Sequence, residues 1–352
     1  MRLATLFSGV GAPEQAAKRV YGDSLELVFA CEWDKFARQS FTANYSLSEE
    51  HFHRDINDLD GTQYKGKVDC IVGGSPCQDF SVAGLRAGID GVRGQLIWEY
   101  YRIIKEVKPK YFIYENVKGM KSDKGGKTLA DFLEVFEQLG YHCHHSVLNS
   151  KHYGVPQNRE RIFIVGFLDE TEHSMFKFAE KTELTKSIRD VLEESVEDKR
   201  YLSVRALKGY AKHKDRHEGR GNGFAFKPKE VDDVASCLTT RYGSRPTDTY
   251  IFDDTSSGKR VSEKIALPTY EDFVRGINTL TSDSQKVIRR LSPRECFRLQ
   301  DFPDSFKFVV SDSQLYKQAG NSMTVAVVEM IFHQIVVAVG AAGSLTDGVK
   351  EN

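Results

Sequence analysis

The 352 residues carry 49 Lys and Arg against 50 Asp and Glu, so no general attraction to a polyanion exists and any nucleic-acid surface must come from unevenly placed charge. A 40% hydrophobic content supports one large domain or two ordinary ones. Six scattered cysteines without a CxxC pair suit a reducing compartment, and neither a usual signal-peptide segment nor a run near the ~20 apolar residues of a membrane span is visible, so a soluble, cytoplasmic protein is expected.

In chain order, "RLATLF" (2–7), "LELVFA" (25–30), "VDCIVG" (68–73), "KYFIYE" (110–115) and "RIFIVGF" (161–167) predict buried strands. Between them "PEQAAKRV", "DKFARQSFTANY", "LIWEYYRIIKEV" and "TLADFLEVFEQLG" have helical spacing. Strands alternating with helices predict an α/β fold with a doubly wound, Rossmann-like, mostly parallel sheet, whose functional groups gather beyond the carboxyl ends of the strands.

"FSGVGAPEQA" follows the first strand and opens a helix, and Gly9 and Gly11 let backbone approach a ligand there. The next strand ends in "CEWDKFA", where Glu32 suits the hydroxyls of a ribose and Trp33 an adenine face. "RDIND" adds Asp55, a carboxylate able to accept from an adenine amino group. Such an adenosine-shaped site serves NAD or S-adenosylmethionine. The third glycine of the dinucleotide pattern is replaced by Glu14, whose charge fits a sulfonium better than a pyrophosphate.

Cys77 follows the strand "VDCIVGG", and Glu115 ends "KYFIYE". A thiol and a carboxyl at neighbouring strand ends suggest covalent catalysis with an acid partner. The plainer alternatives are a buried small hydrophobe for Cys77 and a cap or salt-bridge residue for Glu115.

Taken together, F-S-G-x-G (7–11), E-W (32–33), G-G-S-P-C-Q-x-F-S (73–81), E-N-V (115–117), Q-N-R-E-R (157–161), R-L-S-P-R-E (290–295) and G-N-S (320–322) closely resemble the cytosine-C5 DNA methyltransferase family, in the family's order. The resemblance implies an S-adenosylmethionine site including Phe7, Ile56, Pro76, Leu96, Asn321 and Ser322 besides the residues above. It implies Cys77 as the nucleophile that adds to cytosine C6 and Glu115 as a carboxyl kept protonated beside ring N3. Arg159 and Arg161 match the arginine pair that orients the base and that carboxyl. Because the target atom is inaccessible within a duplex, the base must be flipped out. "VAGLRAGIDGVRG" (82–94) matches the family's active-site loop, in which Arg86 and Arg93 suit phosphates or the flipped base. Gln78 and Ser81 lie beside the nucleophile on the DNA side.

After residue 180 the pattern changes. Residues 205–229 hold eight Lys or Arg against two acids, and 240–260 are rich in Gly, Ser, Thr, Asp and Arg. A smaller, loop-rich target-recognition domain is expected over 181–310, variable over about 185–288, beside a catalytic domain of 1–180 plus 311–352. Within "ASCLTTRYG", Cys237 stands where many members carry threonine, with Thr239 or Thr240 as substitutes; Arg241 and Arg245 are candidates for guanine readout or phosphate contact. Further on, Ser292 and Pro293 read as an N-cap and first-turn proline, and 323–339 as a packed helix. The cluster "YHCHHSV" (141–147) has ligands too close together for usual metal spacing and on alternating faces, so no metal is expected.

The expected activity is DNA cytosine-5 methylation at a short sequence, alone or beside a restriction endonuclease, by a monomer on double-stranded DNA. The alternatives are transfer RNA as the substrate, a DNA-binding relative with a dead site, and, at fold level only, a dehydrogenase.

Overall fold

The computed structural model describes residues 1–76, 96–203, 205–207, 209, 210, 213, 226–245, 247–264 and 287–350. Eight strands lie in the first half: β1 (Arg2–Leu6), β2 (Glu26–Cys31), β3 (Phe52–His53), β4 (Cys70–Gly73), β5 (Tyr111–Val117), β6 (His142–Asn149), β7 (Gln157–Asn158) and β8 (Glu160–Phe167). Seven of them form one sheet in the order β3-β2-β1-β4-β5-β8-β6, with only β8 running against its neighbours. Each predicted run is a strand of this sheet.

Its strands are apolar on both faces because helices cover both. Along β5, Ile113 packs into one core with Leu3, Val72 and Val165, while Phe112 and Tyr114 pack into the other with Leu6, Ile71 and Ile164. This is the period-two alternation of a strand buried on each side. The first face is covered by α1 (Ala12–Tyr21), the second by α3 (Leu96–Val107) and α4 (Lys127–Gln138), with α2 (Lys35–Asn44) following β2. In α3, Ile97, Tyr100, Ile103, Ile104 and Val107 are buried at three- and four-residue spacing, the stripe of a helix lying on a core. Asp34 caps α2 by accepting from the N–H groups of Phe36 and Ala37.

A short helix, α5 (Glu170–Met175), leads into the second half. There β9 (Ala235–Ser236) pairs in parallel with β7, and β10 (Tyr250–Asp253) pairs antiparallel with β11 (Val287–Arg290), with α6 (Ser256–Lys264) between them in sequence. Then follow α7 (Pro293–Arg298), α8 (Asp312–Asn321) and α9 (Val325–Lys350). Ser292 caps α7 reciprocally with Glu295, and Pro293 occupies its first turn, as the sequence predicts. The core that starts at Leu3 continues through Ile251, Leu291 and Phe297, while Leu207, Phe226, Tyr250, Phe252 and Ile288 form a smaller cluster. Arg289 is fully buried between two fully buried carboxylates, with Nε 2.7 Å from Asp253 and Nη1 2.7 Å from Glu295.

One sequence expectation needs correction. The helical stretch ending in α9 is, by length and composition, long and apolar enough to cross a membrane. Val325, Val328, Ile331, Phe332, Ile335 and Ala338 are nonetheless buried in the first core, so the stretch reads as a core helix, and its interrupting Glu329, His333 and Gln334 hid the length of the pattern.

Candidate active site

The carboxyl ends of β1, β2, β4 and β5 share one edge of the sheet. The turn after β1 is a strained one: Phe7, Gly9 and Gly11 all have left-handed backbone, with φ of 54°, 57° and 89°. Such strain in a non-glycine residue persists where the surroundings over-determine it. At Gly11 the reason is a close approach, since a Cβ there would lie 2.2 Å from Tyr45 Cε2, and the Tyr45 hydroxyl donates to the Gly11 carbonyl at 2.7 Å. Glu32 braces the same turn. Its carboxylate accepts from the N–H of Gly9 at 2.8 Å and of Asp34 at 2.7 Å. Burial pushes the Glu32 carboxyl up, and those two backbone donors pull it back.

Beside it Trp33 is 62% exposed, with the Arg54 guanidinium 4.9 Å from its ring on one side. Asp55 accepts from the Asn57 N–H and side-chain amide, while Ile56 is buried in the second core with its carbonyl held by Arg102. Lys317 of α8 reaches Asp34 at 2.6 Å, and Gln318 accepts from Ser40 at 3.0 Å. These links bring the end of α8 to the Glu32–Trp33 corner; there Asn321 is exposed and Ser322 buried. Pro76 is exposed, and Leu96 is partly buried at the start of α3.

A cradle of glycine backbone, a braced carboxylate and an exposed indole fits an adenosine-bearing cofactor. Glu14 plays no part in that choice. Its side chain is buried beneath the turn, where Oε1 accepts from Thr5 and Oε2 has no partner among the described residues. Burial pushes this carboxyl up to about 7. The inward course of α1 thus removes the charge argument that the sequence invites.

On the reacting side, β4 ends at Gly73 and is followed by Gly74, Ser75 and Pro76. Ser75 shares a 2.7 Å hydrogen bond with the Tyr114 hydroxyl, and the Asn116 amide donates to that hydroxyl and to the Ser75 carbonyl at 2.9 and 3.3 Å. A Cβ on Gly74 would lie 2.5 Å from the Glu115 carbonyl oxygen and 3.0 Å from its Oε2, so this glycine makes room for the carboxyl. Glu115 is only 13% exposed and lies 3.2 Å from Nε of Arg161. Burial pushes its carboxyl up, opposed by the positive charges of Arg161 and Arg159. Cys77, Gln78, Ser81, Arg86 and Arg93 lie outside the described residues.

The arginine pair divides its work. Arg161 meets Glu115, whereas Arg159 is buried and clamps backbone: its Nη1 donates to Leu238 O at 3.1 Å, and its Nη2 to Gly320 O and Ser322 O at 3.3 and 2.7 Å. Both guanidiniums also reach the sulfur of Cys237, at 3.5 and 3.7 Å. Nearby, Gly320 packs so closely on the Thr239 backbone that a Cβ would meet it at 2.3 Å. Arg241 and Arg245 are exposed, and the Thr239 hydroxyl is buried without a partner among the described residues. In β6, the His144 ring stacks on His173 at 4.1 Å.

Sequence reasoning missed Tyr45 and Tyr114, and quoted Gly74, Ser75 and Asn116 within family blocks without giving them a role. The paired glycines before "SPC" were the one local signal, since adjacent glycines at a strand end mark a close approach.

Comparison with known proteins agrees with this geometry. The family model described as C-5 cytosine-specific DNA methylase matches residues 1–337. The type II methyltransferase M.HpaII of Haemophilus parainfluenzae is 35% identical over 340 residues, covering 95% of this chain and 89% of its own length. The orphan methyltransferase M.SPRI of Bacillus phage SPR is 30% identical over 429 residues, covering 96% and 97%. Among solved structures, the Dnmt2 methyltransferase of S. pombe matches with a TM-score of 0.70 at 20% identity, covering 96% of this chain and 98% of that one, a likeness of fold.

Proposed function

The chain belongs to the C-5 cytosine-specific DNA methylase family and is a DNA methyltransferase, and from that premise we propose how its residues divide the reaction. The cofactor is S-adenosylmethionine, held by the 7–11 turn, Glu32 at the ribose, Trp33 and Asp55 at the adenine, and the Asn321–Ser322 segment. When bound, it supplies an electrophilic methyl group.

Cytosine C5 is a poor nucleophile. The Cys77 thiolate adds to C6, forming a sulfur–carbon bond and moving the ring electrons toward C5, while Glu115 holds a proton at N3. Once C5 has taken the methyl group that a bound cofactor would give, leaving S-adenosylhomocysteine, the C5 proton leaves to water. The sulfur–carbon bond then breaks to release the Cys77 thiolate, and the N3 proton returns to Glu115, freeing neutral 5-methylcytosine. Arg161 orients Glu115, and Arg159 fixes the surrounding backbone. The observation that carries this reading is the Glu115 carboxyl itself, lodged over Gly74 three residues before Cys77 and pushed toward its protonated form by burial.

The substrate is double-stranded DNA with the target base flipped out. Residues 181–310 form the recognition domain, with Arg241 and Arg245 facing the duplex, and 1–180 with 311–352 form the catalytic one. The relatives' names, type II and orphan methyltransferase, support a place either beside a cognate restriction endonuclease or alone, for a monomer in the bacterial cytoplasm. The family description names DNA, which favours DNA over transfer RNA as the substrate.

Base-resolution methylation mapping of DNA from a methylation-free bacterium expressing the protein tests this reading. Methylcytosine confined to one short motif and lost in Cys77→Ser supports it. Unmodified DNA from well-expressed protein, or full methylation by Cys77→Ser, would sink it.

A further inference from the structure

Cys237 stands where the family resemblance leads one to expect threonine, and its surroundings give the sulfur a distinct task. Arg161 is held at three points: Nε faces Glu115 at 3.2 Å, Nη1 donates to the Glu160 carbonyl at 2.8 Å, and Nη2 reaches Cys237 Sγ at 3.7 Å. The same sulfur accepts from Arg159 Nη1 at 3.5 Å. Two guanidiniums, one beside the carboxyl and one clamped to backbone, therefore share one sulfur atom.

The segment carrying that sulfur is itself anchored. Ala235 and Ser236 pair with Gln157 and Asn158, directly before the strand that bears Arg161. The Leu238 N–H donates to Gln157 Oε1 at 2.9 Å, and the Gln157 amide donates to Leu299 O at 2.6 Å. Four residues beyond Cys237 comes exposed Arg241. Displacement of this segment has a short, stiff route to Glu115, through Sγ and then Arg161.

We infer that Cys237 is a positioning residue for methyl transfer: its sulfur holds the Arg161 guanidinium against Glu115 and so couples the seating of the 235–245 segment to the carboxyl that serves the target base. The inference rests on the proposed function. Sulfur is a weak acceptor, but a hydrogen bond to a charged donor contributes more than a neutral one, so losing it lowers turnover by about five- to tenfold. The DNA and cofactor sites are left in place.

The test compares wild type, Cys237→Ala and Cys237→Ser for kcat on a duplex carrying the recognised motif, for binding of that duplex and of S-adenosylhomocysteine, and for thermal midpoint. Expected are a five- to tenfold fall in kcat for Cys237→Ala, both affinities within twofold of wild type, and recovery of most of the rate in Cys237→Ser, whose hydroxyl accepts again. Undiminished kcat in Cys237→Ala overturns the inference. So does weakened duplex binding with normal kcat, which makes Cys237 a DNA contact, and so does equal loss in both variants tracking a lowered midpoint, which makes it a packing residue. Wild-type turnover separately tests the proposed function: a wild type that binds but never methylates overturns both.

Discussion

Replacing Gly11 with alanine puts the cofactor turn under a load that can be worked from its geometry. At φ 89° and ψ 39° the residue sits in left-handed backbone, where a side chain costs about 1–2 kcal/mol. The new Cβ would lie 2.2 Å from Tyr45 Cε2 and 2.8 Å from Cδ2, against an ordinary carbon contact of ~3.5–4 Å, so the ring must retreat by more than about 1 Å. That ring packs on Phe41 and donates to the Gly11 carbonyl, and a retreat gives up the hydrogen bond, a further loss of about 1 kcal/mol. The expected total is about 2–3 kcal/mol, or roughly thirty- to a hundred-and-fifty-fold in an equilibrium. If the turn relaxes in the free protein, the loss appears as weaker binding; if it stays put, it appears as lower stability. Calorimetric titration with S-adenosylhomocysteine and urea unfolding together capture both. Affinity and stability each within about 0.5 kcal/mol of wild type would show that neither the backbone nor Tyr45 constrains the turn, and the cradle argument would fail.

Other perturbations separate chemistry from support. Glu115→Gln keeps the shape but cannot hold the proton, so turnover should fall at least about a hundredfold while S-adenosylhomocysteine affinity stays within twofold; equal losses in both would contradict the role assigned to it. Arg289→Leu leaves the buried carboxylates of Asp253 and Glu295 facing each other, for a loss of about 3–5 kcal/mol in urea unfolding, whereas Arg189→Ala, which breaks exposed pairs with Asp232 and Asp254, should lose under about 1 kcal/mol; similar losses would refute the distinction. Glu14 titrates near 7 when folded against 4.5 ordinarily, so the native state holds the extra proton and the stability this confers is lost as pH rises from about 4.5 through 7. Glu14→Gln should therefore gain on wild type by ~2.5 kcal/mol between pH 5 and pH 8, and a pH-independent difference in unfolding free energy would contradict a buried neutral carboxyl.

Which features the sequence disclosed follows from what a local pattern encodes. Strands such as "CIVG" and "FIY" are buried on both faces, so their residues announce themselves without reference to any partner. Edge strand β6 carries three histidines and a serine among its eight residues, and gave no apolar run. Parallel topology then fixes which strand ends meet, and for that reason Gly11, Glu32 and Glu115 were legible as neighbours despite their separation in the chain. Side-chain direction was not legible in the same way. Glu14, one turn into α1, reads as facing a ligand until the helix is seen to roll it inward onto Thr5.

The arginines of "QNRER" make the same point over a longer range. Alternation along an extended strand puts residues 159 and 161 on one face, which invites a single shared role. What separates them lies elsewhere in the chain: Leu238, Gly320 and Ser322 present three carbonyls to Arg159, and Glu115 presents a carboxylate to Arg161. A guanidinium ringed by carbonyls is a fixed brace, whereas one beside a carboxyl that burial pushes up opposes that shift with its charge. The two are joined through Cys237, 78 and 76 residues away from them, a partner that neither a motif nor a period could name.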